Sequence, residues 1–82
     1  MSNKITLTVE KKDLVDEAKS LIVELGGRKM AAQKMAHLAN GDLILSSNRI
    51  ANILNGRAHR LVIEQYVMEM RLVAANLIDV KL

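Results

Sequence analysis

Leu14, Ala18, Leu21 and Leu25, with Val15 and Ile22 beside them, recur at the spacing of one helical face and stop at Gly26-Gly27. This stripe constrains the chain more than any other feature, because a helix with one apolar face must bury it against something else. Asp13 can cap its start, and Asp16 and Glu17 suit the positive end of its first turns. What lies opposite must be aliphatic: the chain of 82 residues has a single aromatic, Tyr66, and neither cysteine nor proline. Its core is therefore built from Leu, Ile, Val, Met and Ala, with no disulfide and no cysteine-held metal. A domain this small buries only about 60% of the surface its unfolded chain exposes, which favours association with a second copy.

Around that helix the expectation is mainly α, a small bundle of four to five helices with a short N-terminal β-strand. Lys4, Ile5, Thr6, Leu7, Thr8, Val9 and Glu10 alternate polar and apolar residues, the signature of a half-buried strand, within an arm over 1–11. Such a strand needs a partner, which a second subunit could supply; it could equally be an arm packed on the helices. A further helix is expected from Arg28 to about Leu38, then a turn at Ala39-Asn40-Gly41-Asp42. Leu43-Ile44-Leu45 is too short to assign by periodicity, and can be a helical connector or a buried extended segment.

In the stretch 46–57, Ser46 or Ser47 can cap a short helix with Ile50, Ile53 and Leu54 on one face. Asn48, Arg49, Ala51 and Asn52 occupy the other face, and Asn55-Gly56 ends it. A long helix over 59–78 follows, with an apolar set wide enough to serve both the core and a subunit contact. The organisation expected is one domain, with 13–57 the functional part.

Charge is unevenly spread. Residues 1–27 balance at −1, and residues 61–82 do the same. The middle third carries Arg28, Lys29, Lys34, Arg49, Arg57 and Arg60 against Asp42 alone, a balance of +5. A basic segment within a near-neutral chain suits a polyanion, though a solvated face has the same composition. Amide and guanidinium groups hydrogen-bond base edges and phosphates.

Catalysis is not expected. His37 and His59 have no metal-ligand spacing to each other or to paired carboxylates. Gly26-Gly27-Arg28-Lys29 lacks the glycine spacing and the Lys-Ser/Thr ending of a phosphate loop. No cofactor and no metal are predicted. No apolar run approaches the ~20 residues of a membrane span, and no apolar signal core follows Met1, so a cytoplasmic protein is expected.

Ser46 through Gly56 resembles the second half of helix-turn-helix motifs in phage-repressor-like and LacI-like DNA-binding heads. Ile50 and Ile53 match the two buried positions, and Asn55-Gly56 matches the ending. The family carries a small residue ten positions before the first buried one; here that position is Asn40. Ala36 has the right character, with a connector four residues longer than usual. The resemblance implies a homodimeric bacterial or phage transcriptional regulator that binds a roughly palindromic duplex, its recognition helices ~34 Å apart. It would direct Ser47, Asn48, Arg49 and Asn52 to the major groove. Asn55, Arg57 and Arg60 would lie near phosphates, with Arg28, Lys29 and Lys34 reaching an adjacent run.

The N-terminal strand, the helix after it and the Gly-Gly break also resemble the opening of ribbon-helix-helix repressors. That geometry would bring Lys4, Thr6 and Thr8 to the bases and turn Ile5, Leu7 and Val9 to the core. It leaves the chain from Leu43 onward without a role. The reading from a different class is a non-catalytic interaction module that modulates a larger regulator, its methionines Met30, Met35, Met68 and Met70 adapting to a protein partner.

Overall fold

The computed structural model describes residues 10–76. Four α-helices and one 3-10 turn follow in order: α1 Lys11–Glu24, α2 Arg28–Lys34, the 3-10 turn Ala36–Ala39, α3 Leu43–Leu54 and α4 Arg60–Ala74. The expected mainly helical bundle is therefore present. The expected strand and the ribbon-helix-helix geometry rest on residues 4–10, of which only Glu10 is described.

Helix α1 begins two residues before Asp13. Glu10 occupies the N-cap without a side-chain hydrogen bond, and Asp13 falls inside the first turn. Its end is as the glycines dictate. Gly27 N–H donates to the Ile22 carbonyl and Gly26 N–H to the Val23 carbonyl, the paired bonds of a Schellman motif. A side chain at Gly26 would meet Met30 Cγ at 3.1 Å, with φ at +109°.

Leu14, Ala18, Leu21 and Ile22 of α1 are buried, and α1 packs chiefly on α4. Ile63, Tyr66, Val67, Met70 and Val73 form the α4 side of that contact. Each large aliphatic side chain so buried contributes about 1.5–3 kcal/mol. Arg71 of α4 forks onto the Glu17 carboxylate of α1, with Nη2 2.6 Å from Oε1 and Nε on Oε2. This hydrogen-bonded guanidinium draws the Glu17 carboxyl below its ordinary range.

Helix α2 packs mainly on α3. The helix expected from Arg28 to Leu38 breaks instead at Met35, which is fully buried, and continues as the 3-10 turn. Asn40 then takes a left-handed conformation (φ 57°), and the turn predicted at 39–42 is present.

The start of α3 needs the largest correction. Asp42, not Ser46 or Ser47, is the cap: its carboxylate accepts from Leu45 N–H at 3.0 Å, and the helix begins at Leu43. Leu43-Ile44-Leu45 is the exposed first turn of α3, neither a connector nor a buried extended segment. The far end matches the sequence. Gly56 has φ +78°, and Arg57 N–H donates to the Asn52 carbonyl at 2.9 Å.

Helix α4 is shorter than the expected 59–78. His59 caps it through Nδ1, 3.1 Å from Leu61 N, and Asn76 turns left-handed just after its end. Opposite its buried face stand Leu61, Gln65, Met68 and Leu72, at alternating four- and three-residue spacing. Leu61 and Met68 are 65% and 62% exposed. The wide apolar set thus resolves into one stripe in the core and a second in which Leu61 and Met68 are exposed and Leu72 is half-buried. Of the methionines, Met35 and Met70 fill the core while Met68 points outward.

Candidate nucleic-acid interface

With the core against Ser46, Ile50 and Ile53, the opposite face of α3 is fixed. It carries Ile44, Asn48, Ala51, Asn52 and Asn55, related by single and double helical turns, with Ser47 on one edge. Ile44 is 76% exposed, and Ser47, Asn48, Asn52 and Asn55 are all exposed. Ser47, Asn48 and Asn52 form no side-chain hydrogen bond among the described residues, so their donors and acceptors are open to a ligand. Asn55 is partly committed: its side-chain oxygen accepts from Arg57 N–H at 3.0 Å, which fixes the turn after α3.

Arg28 and Lys29 stand at the start of α2 because the Gly26-Gly27 turn delivers the chain there. With Ser47 and Ile50 they line a depression of about 200 Å³ between α2 and α3. Three of the residues expected to bind DNA, the adjacent Arg28 and Lys29 and the distant Ser47, are thus brought together. Neither cation has an ion-pair partner among the described residues.

Arg49 does not belong with them. It was expected to face outward, but it is half-buried, and Nη1 donates to the Leu38 carbonyl at 2.9 Å and lies 3.5 Å from the Tyr66 hydroxyl. Tyr66 is fully buried, and a buried phenol requires a polar neighbour. Arg49 supplies one while tying the 3-10 turn to α3. Arg60 is also engaged, with Nε 2.8 Å from Glu64 one turn along α4. Lys34 is partly exposed at the other end of α2 and does not line the depression beside Arg28 and Lys29. Arg57 is exposed just beyond α3.

Four further residues join this surface, none of them expected from the sequence. Ile44 was hidden in an apolar run whose structure the pattern left open. Lys11, Lys12 and Lys19 belong to a segment that balances at −1, yet they line a groove of about 370 Å³ with Leu54 and Asn55 of α3. Lys12, Val15 and Lys19 recur at i, i+3 and i+7, the spacing that could have revealed a basic edge on α1.

Among the described residues no three His, Asp or Glu side chains gather as a metal ion requires, and no helix is long and apolar enough to cross a membrane. Both histidines are engaged: His37 Nε2 is 2.8 Å from Glu69 Oε2, and His59 caps α4. Compared with protein-family models, curated proteins and solved structures, the chain matches none of them.

Proposed function

We propose that the chain is a small non-catalytic transcriptional regulator of bacterial or phage type that binds double-stranded DNA, with α2 and α3 as a helix-turn-helix-like unit and α3 in the major groove. The observation that carries this reading is the outer face of α3, where the amides of Asn48 and Asn52 and the Ser47 hydroxyl have no side-chain hydrogen bond among the described residues, bordered by Arg28 and Lys29, which have no ion-pair partner among them. Amides suit adenine edges, cations suit phosphates, and an exposed aliphatic group such as Ile44 suits a thymine methyl. Arg57 extends the phosphate contacts. Arg49 acts as a brace for α3 and does not read a base.

In this reading the protein works in the cytoplasm as a homodimer on a roughly palindromic site. The α4 stripe of Leu61, Met68 and Leu72 is the surface available for the twofold contact. The test is binding of a mixed-sequence duplex across a salt series. A steep loss of affinity with salt is expected, because lysine and arginine contacts release counterions. Asn48→Ala and Asn52→Ala should each weaken the preferred site by roughly 1–3 kcal/mol while flattening sequence preference. No duplex binding at low salt would overturn the reading.

The same exposed α4 stripe favours a second reading, a module that docks on a larger protein regulator without touching DNA. Leu61→Glu with Met68→Glu separates the two. Loss of a dimer together with duplex affinity supports the regulator, whereas a monomeric wild type that binds no duplex supports the module.

A further inference from the structure

The groove between α1 and α3 resembles the Arg28–Ser47 depression in one respect that matters. Both open on the same edge of α3: Ser47 and Ile50 line the first, and Leu54 lines the second, so the three form one i, i+3, i+7 stripe. Seven residues separate Ser47 from Leu54, roughly 10 Å along the helix axis. An interval of this size is on the scale of neighbouring phosphates on one strand of a duplex. A backbone strand meeting Arg28 and Lys29 would thus continue toward Lys11, Lys12 and Lys19.

The lysines are also badly placed for helix stability. Lys11 and Lys12 open α1, where no side chain caps the helix and the positive end of its dipole disfavours cations. None of the three lysines pairs with a described carboxylate, although Asp16 lines the same groove. Three ammonium groups facing one carboxylate leave the groove cationic, above a floor of Val15 and Leu54 along which lysine stems can lie.

We propose that Lys11, Lys12 and Lys19 form a second phosphate-binding subsite, continuous with Arg28 and Lys29, that extends the protein's grip along one strand of duplex DNA. The inference rests on the duplex-binding reading above. The contact is to the backbone, so it adds affinity without sequence preference. Asp16 opposes it and sets a ceiling on the strength of the subsite.

The experiment follows fluorescence polarisation of a labelled 20-base-pair mixed-sequence duplex over a sodium chloride series, with thermal melting of each protein. In Lys12→Gln/Lys19→Gln the slope of log affinity against log salt should become shallower by about 2, with a roughly tenfold loss of affinity. Melting should be unchanged or slightly raised, because a cation leaves the positive end of α1. Asp16→Asn should bind roughly twofold to threefold tighter, a gain that partial unfolding cannot produce. An unchanged slope in the lysine variant, or Asp16→Asn binding no tighter than wild type, would overturn the subsite and leave duplex binding by α3 standing. Failure of the wild type to bind the duplex at low salt removes both.

Discussion

Ser46 and Ser47 are neighbours of identical chemistry with opposite roles, and the polar residues that follow, Asn48 and Arg49, divide in the same way. Ser46 is fully buried and donates to the Ala32 carbonyl at 2.7 Å, whereas Ser47 stands exposed in the Arg28–Lys29 depression. Arg49 is turned in on the Leu38 carbonyl while Asn48 is open to solvent. The inner face of α3 therefore spends its polar groups on backbone carbonyls of α2 and the 3-10 turn. On the outer face Ser47, Asn48 and Asn52 have no side-chain hydrogen bond among the described residues. A polar side chain on this helix is structural or available according to a rotation of about 100°, not according to its type.

The contrast can be broken at its anchor. Tyr66→Ala removes the buried ring beneath Arg49 and should cost about 3–5 kcal/mol in denaturant unfolding, enough to unfold much of so small a domain. Arg49→Ala sharpens it: the loss of a charged hydrogen bond to Leu38 should lower stability by about 1–3 kcal/mol. Asn48→Ala, by contrast, should stay within about 0.5 kcal/mol of wild type. Equal stability of the two variants would erase the distinction between the faces. Ser46→Ala should cost about 1 kcal/mol, since the Ala32 carbonyl loses a buried donor, and Ser47→Ala close to nothing.

The smallest effect belongs to the surface pair between α1 and α4. Glu17→Gln should reduce stability by about 0.2–1 kcal/mol at neutral pH, because both partners are partly exposed. The sign with pH follows from the lowered Glu17 carboxyl. Its contribution is present above the ordinary glutamate range and disappears as pH falls through the depressed folded-state value. Thermal melts at neutral and strongly acidic pH should therefore separate wild type from Glu17→Gln only at the former.

Much of the fold was legible because local rules carried it. The Leu14–Leu25 stripe, the Gly26-Gly27 stop and the Asn55-Gly56 stop all follow from periodicity and left-handed glycine, and all three are present. The start of α3 was not legible, since Leu43-Ile44-Leu45 presents three apolar residues in a row and masks the cap at Asp42. Arg49 could not be placed either. It shares a helical edge with Ser46 and Ile53, but what draws it inward lies 11 and 17 residues away in the chain, at Leu38 and Tyr66. The basic edge of α1 was lost to averaging: counting charge over a segment cancels lysines on one face against carboxylates most of which, Asp16 excepted, do not line their groove.

The connection over residues 35–42 is longer than the helix-turn-helix resemblance leads one to expect, yet it is not slack. Met35 and Ala39 are buried, the Leu38 carbonyl is held by α3, and His37 is held by Glu69 of α4. Two of these ties come from elements later in the chain, so the connection holds its shape only while α3 and α4 are docked. The geometry between α2 and α3 is thus held by ties to the rest of the bundle, so amide protons of the 3-10 turn should exchange through unfolding of the whole domain rather than through local fraying.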